Sequence, residues 1–367
     1  MNEVSGSPIP LDSFSPAVAR NIDPKSPVPV RMMAAKGLLA CPPRELLSAV
    51  FVLTFDPDPK VAETAHGFGA KLPDKLMAGL RDEEIETEVL DFYARALHSN
   101  AQALEIIALN PNTADKTIAS IADFVPQNVA EIIAQNQLRI LRDEGIVRSL
   151  LKNPNIKLNT KETLLDFCVR SGMFLADLAE FVDARRRVFG EDPKTAEELQ
   201  QAEQHTVEKV VAEYGTAVTD EAAQVEEGKR LTFTQRVMKM SVSQKIKLAT
   251  LGNKEARTML LRDSNKLVAL AAISSPRITE AEVVTLANSR TLHDDVMRFI
   301  CRNREWLKNY QIKTNLVNNP KTPVATSLKL MKFLHPNELK GVARNKNVNT
   351  TIQLQAKRML QPQSKGA

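Results

Sequence analysis

One stretch of the chain gathers residue types able to grip a partner: Arg302-Asn303-Arg304-Glu305-Trp306-Leu307-Lys308-Asn309-Tyr310-Gln311-Ile312-Lys313. It holds the single Trp and one of three Tyr. Helical spacing predicts that Trp306, Tyr310 and Lys313 share one face, at i, i+4 and i+7, and that Arg304 and Lys308 share another. Arg298 and Arg302, one turn earlier, complete an expected partner-binding surface of Arg298, Arg302, Arg304, Trp306, Lys308, Tyr310 and Lys313. Aromatic anchors exclude water there, and Arg forks hold a carboxylate, phosphate or peptide group. The competing expectation places Trp306 and Tyr310 in the core and the cations on a solvated face, because aromatic side chains at helical spacing commonly fill cores.

Residues for bond-making chemistry are not arranged for it. The sequence has no Gly-x-Gly-x-x-Gly, no phosphate-binding Gly-Lys-Ser/Thr loop, no Gly-x-Ser-x-Gly elbow and no His-Glu-x-x-His. His66, His98, His205, His293 and His335 stand far apart, whereas metal ligands normally cluster. Cys41, Cys168 and Cys301 form no Cys-x-x-Cys pair, and Cys168 and Cys301 lie in apolar helical text. Such thiols behave as small buried hydrophobes, and a reactive one needs an exposed, electropositive setting. The expectation is a protein that is not an enzyme and carries no metal or cofactor.

Charge is distributed unevenly. Residues 1–159 carry −4, residues 160–228 carry −9 and residues 229–367 carry +18, which together make the net +5. A segment with three basic residues for each acidic one points to an electrostatic partner. Scattered cysteines suit a reducing compartment, and the polar, Pro- and Ser-rich start lacks the apolar core of a secretory signal. No apolar run is long enough to span a bilayer, so the chain reads as cytoplasmic with no membrane span.

Short amphipathic helices must position these residues. The text Ile133-Ala134-Gln135-Asn136, Ile146, Leu150, Asn153-Pro154 is repeated as Phe299-Ile300-Cys301-Arg302-Asn303, Ile312, Leu316, Asn319-Pro320. The opening turns match too, Asn110-Pro111-Asn112-Thr113 against Ser275-Pro276-Arg277-Ile278-Thr279. Pro111 to Pro154 is 43 residues and Pro276 to Pro320 is 44, a period of stacked helical repeats. Periodicity predicts helices near 85–97, 100–109, 113–123, 126–135, 138–151, 159–170 and 174–188. After a gap it predicts 233–250, 254–273, 279–288, 292–302, 304–317, 323–334, 336–344 and 348–360. Asn159 with Glu162, and Thr279 with Glu282, have capping-box spacing. Asn before Pro, at 110, 153 and 319, suits a helix exit.

The expected architecture is therefore all-α, a two-lobed helical-repeat solenoid with an acidic linker. Residues 1–28 are expected to be a disordered leader, 29–188 an N-terminal lobe, 189–228 the linker, 229–360 a basic C-terminal lobe and 361–367 a tail.

Asp56-Pro57-Asp58-Pro59-Lys60-Val61, Asn110-Pro111-Asn112-Thr113 and Asn319-Pro320-Lys321-Thr322-Pro323 resemble turn motifs of leucine-rich repeat variant proteins, within the broader HEAT-like and armadillo-like class. The C-terminal lobe is also similar to helical-repeat proteins of deltaproteobacteria. The resemblance implies a bacterial α-solenoid that acts as a protein-binding scaffold. It departs from the family at the N-terminus, where Cys41 stands alone and no iron–sulfur centre could be ligated.

Two functions follow as expectations. The first is a scaffold that docks an acidic or extended protein partner on the basic C-terminal lobe. The alternative is binding of DNA or RNA backbone by the same basic surface without reading sequence. The linker, at −9, is expected to lie over the basic face and compete with the partner.

Overall fold

The computed structural model describes residues 9–175, 177–190 and 233–361. Among them every regular element is an α-helix or a 3₁₀ turn and none is a strand, so the protein is an all-α helical-repeat fold. The chain divides into two compact units, Met1–Cys168 and Val169–Ala367.

The first unit contains α1 (Pro16–Ile22), α2 (Val28–Ala35), α3 (Pro43–Leu53), α4 (Pro59–Gly69), α5 (Met77–Leu80), α6 (Thr87–Ala96), α7 (Ala101–Leu109) and α8 (Asp115–Ile121). It ends with α9 (Gln127–Gln135), α10 (Gln137–Arg142), α11 (Glu144–Lys152) and most of α12 (Leu158–Arg170). Alternate helices stack in two rows, α3–α5–α7–α9 and α2–α4–α6–α8–α11. Each helix is amphipathic, so the apolar stripe of one row meets that of the other in a continuous core.

The leader expected over residues 1–28 is corrected for its described part. Ile9, Leu11, Phe14, Val18 and Ile22 are buried, and α1 packs on α2 and α3. Two of the prolines that suggested disorder, Pro16 and Pro29, sit in first-turn positions of helices, where a missing N–H leaves nothing unsatisfied.

The second unit contains α13 (Ala179–Phe189), α14 (Phe233–Lys239), α15 (Val242–Leu251), α16 (Lys254–Leu260), α17 (Lys266–Ile273), α18 (Glu280–Asn288) and α19 (Asp294–Arg302). It continues with α20 (Tyr310–Asn318), α21 (Val324–Leu330), α22 (Pro336–Arg344) and α23 (Thr350–Leu360). Here α15, α17 and α19 make one row, and α18, α20 and α22 the other. The acidic linker falls almost wholly on residues 191–228, outside the described residues; before it, α13 closes on Gly190 in the left-handed conformation that favours glycine.

Several long helices expected from periodicity are two short ones. The 138–151 helix breaks at Asp143, whose carboxylate caps α11 through the N–H of Gly145. The 233–250 helix breaks at Ser241, which forms a capping box with Gln244. The 254–273 helix breaks over residues 261–265, where Asn265 caps α17. The Thr279–Glu282 box forms as expected. The Asn159–Glu162 box does not, because Asn159 lies inside α12.

The repeated text corresponds to repeated structure: α7, α8, α9, α10 and α11 match α17, α18, α19, the 3₁₀ turn Trp306–Lys308 and α20 in order. The asparagines before proline do more than end a helix. Asn153 is buried, its Nδ2 donates to the carbonyls of Ala122 and Val125 at 2.8 and 2.9 Å, and its Oδ1 accepts from the N–H of Asn155 at 2.7 Å. Asn319 donates to Ala287 and Ser289 and accepts from Lys321; Asn110 donates to Leu80 and Asp82 and accepts from Asn112. Each amide thus ties the exit of one helix to the exit of an earlier one, satisfying carbonyls that helix ends leave orphaned.

Candidate interaction surface

The expected binding face sits where α19 ends and α20 begins, and the chain does not run through it as one helix. Asn303 ends α19, and its Oδ1 accepts from the N–H of Trp306 at 3.1 Å. A single 3₁₀ turn follows, and Asn309 then caps α20 through the N–H groups of Gln311 and Ile312. Trp306 therefore does not share a helix face with Tyr310 and Lys313, and the predicted three-residue stripe is corrected. The local cause is the competition of two Asn side chains for backbone N–H groups, which favours caps over a continuous helix.

Trp306 is half-buried against Phe299 of α19, with ring centroids 5.9 Å apart. Tyr310 is half-buried and stacks on His335, centroids 4.9 Å apart, while its hydroxyl accepts from the backbone N–H of His335 at 3.0 Å. Lys313, one turn along α20, places its ammonium 5.1 Å from the ring centre of Phe333. Phe333 is 61% exposed, large for an aromatic ring. The structure so joins Tyr310 and Lys313 with Phe333 and His335, two residues sequence reasoning did not place there. No local signal could have found them, since the contacts span 20 and 25 positions.

The remaining expected residues are solvent-facing. Arg298 and Arg302 are exposed on α19, the first beside Asp295 at 3.6 Å, and Arg304 is exposed in the turn. Lys308 pairs with Glu305 at 2.6 Å on the surface. The cations are thus solvated, and the aromatics are neither core nor free.

Cations are not spread evenly over the two rows of this unit. The row α15–α17–α19 exposes Lys247, Lys266, Arg298 and Arg302 beside Asp294, whereas the other row exposes Lys340 and Arg344 on α22 and only Glu280, Ala281, Thr285 and Asn288 on α18. Acids of the unit are largely committed. Glu282 and Arg257 form a buried bidentate pair, Asp263 holds Lys245 at 2.8 Å, and Asp294 lies 3.6 Å from Lys321. Lys247, Lys266 and Arg302 have no carboxylate partner among the described residues.

Burial raises all three thiols. Cys168 is pushed up to about 12 and Cys301 to about 11 by desolvation, and Cys41 is raised by burial and by Glu45. Each thiol stays protonated, and so weakly nucleophilic, near neutral pH. Among the described residues no group of three His, Cys, Asp or Glu converges in a way that could hold a metal ion. No described helix is long and apolar enough to cross a membrane. Comparison with protein-family models, curated proteins and solved structures finds no match to this chain.

Proposed function

We propose that this protein is a non-catalytic helical-repeat scaffold of the leucine-rich repeat variant or HEAT-like type, which binds an acidic or extended protein segment through its basic C-terminal unit. The observation that carries this reading is the exposed row of cations on α15, α17 and α19, of which Lys247, Lys266 and Arg302 have no carboxylate partner among the described residues, together with the half-exposed Tyr310–His335 and Lys313–Phe333 contacts. Unpaired cations attract the partner, and half-exposed aromatic rings supply apolar area that does not weaken with salt. Exposed ion pairs alone would contribute little.

Charge reversal tests it. The double variant Arg298→Glu, Arg302→Glu should bind a fluorescein-labelled decaglutamate peptide at least tenfold more weakly than the parent chain in fluorescence anisotropy at low salt. Equal affinity would count against this surface.

A second reading, binding of nucleic-acid backbone, rests on the same cations. Its mark is retention on DNA that generic polyanions compete away, with affinity falling steeply as salt rises.

A further inference from the structure

The second unit also carries a groove of about 980 Å³ built from none of the residues of the expected binding face. Val237 and Met238 of α14, Lys245 of α15 and Lys254, Met259 and Leu260 of α16 line it, with Arg262 and Asp263 at its end. Val237 and Leu260 are buried and form the floor, Met259 is half-buried, and Met238 is 70% exposed. Unbranched thioether side chains adapt to irregular apolar partners, so two methionines over an apolar floor suit an inserted side chain.

The charges around this floor sort into two groups. Lys245 and Asp263 neutralise each other at 2.8 Å and are mostly buried. Lys254 and Arg262, near opposite ends of α16, are exposed and have no carboxylate partner among the described residues, against a single remaining acid, Glu255. The rim is therefore net positive, within a segment that carries +18 over residues 229–367.

We propose that the groove docks a short acidic helical segment of another protein, carrying two large apolar side chains one turn apart. Those side chains enter between Met238 and Met259, and flanking carboxylates meet Lys254 and Arg262. Helices dock in grooves through apolar residues three or four apart. Each large apolar side chain removed from water strengthens binding roughly ten- to a hundredfold. This inference rests on the reading that the basic unit binds acidic segments, and it adds what such a segment must contain.

The test uses the full chain and two labelled twelve-residue peptides. Both have four glutamates at each end; one has Leu-Ala-Ala-Leu at its centre and the other Ser-Ala-Ala-Ser. At physiological salt the Leu peptide should bind at least tenfold tighter than the Ser peptide. Met238→Asp should abolish that advantage, Met238→Leu should keep it, and Arg262→Glu should weaken both peptides. Because Met238 is exposed, an unchanged melting temperature of the Asp variant separates lost binding from lost folding. Equal binding of the two peptides, or an advantage that survives Met238→Asp, overturns the proposal. If the peptides bind equally and Arg298→Glu, Arg302→Glu weakens both, only the groove falls; if neither peptide binds the parent chain, the basic-unit reading falls with it. Binding of the Leu peptide only after residues 191–232 are exchanged for a Gly/Ser chain of equal length would make that segment the occupant, and would also overturn it.

Discussion

Asn153 shows how much one side chain can hold. Its amide makes three hydrogen bonds at a fully buried residue, so Asn153→Ala strands the Ala122 carbonyl and the Asn155 N–H and leaves the Val125 carbonyl only the longer bond from Asn155. Each such loss costs about 1 kcal/mol or more, so we expect a loss of about 3 kcal/mol in urea unfolding. Asn153→Asp should cost at least as much, since a carboxylate donates nothing and repels the same carbonyls. At equivalent places in the repeat, Arg139 and Trp306 follow Asn136 and Asn303 by three positions and behave differently. Arg139 is buried and donates to the carbonyls of Asn110 and Thr113 and to Asp115, whereas Trp306 is half-exposed on Phe299. Arg139→Ala should therefore cost about 3–5 kcal/mol, because it strands a buried partner set, and Trp306→Ala distinctly less. The thiols offer a pH test. Alkylation of Cys301 should be slow at neutral pH and rise towards half-maximal ionisation near 11, with Cys168 slower still and near 12.

Most elements were visible in the sequence, and their breaks were the part that was not. Helices such as Gln127–Gln135 and Pro336–Arg344 lie within a residue of their expected spans, because an apolar stripe at helical period determines them. The period also continues across Asp143, Ser241, Asn265 and Asn309, since consecutive short helices keep their apolar positions facing one core. What ends each helix there is a single polar side chain competing for backbone N–H groups, a weaker signal than the stripe. Asn309→Ala should cost about 1 kcal/mol as a lost cap. The proposed binding face was legible in residue type but not in geometry, because Phe333 and His335 reach Tyr310 and Lys313 only through the stacking of α20 against the elements after it. Electrostatics inside the unit can be tested by acid. For Glu282, burial raises the pKa, but hydrogen bonds from Thr279 and the charge of Arg257 outweigh it, and the net shift is downward. A depressed carboxylate stabilises fully above its unfolded value, about 4.3, and that contribution disappears as pH falls through the lower folded value. Thermal melts from pH 6 to pH 2 should show this loss in the parent chain and a smaller one in Arg257→Met, Glu282→Gln.

Across the whole molecule, the net +5 conceals segments of −4, −9 and +18, and the acids of the last segment are largely spent on internal pairs. In the repeat architecture a row of helices presents one exposed side, so cations on successive helices add on that side rather than cancel. A partner drawn by charge and then held by apolar contacts gives a shallow dependence of affinity on salt. A partner held by backbone phosphates alone gives a steep one, with a slope set by the number of phosphates neutralised. Binding of the glutamate-flanked Leu-Ala-Ala-Leu peptide and of a short DNA duplex should therefore be measured on the same full-length chain across a salt series. We predict saturable peptide binding that persists at physiological salt and outlasts DNA binding as salt rises. DNA binding that survives higher salt than peptide binding, or no peptide binding at any salt, would contradict it.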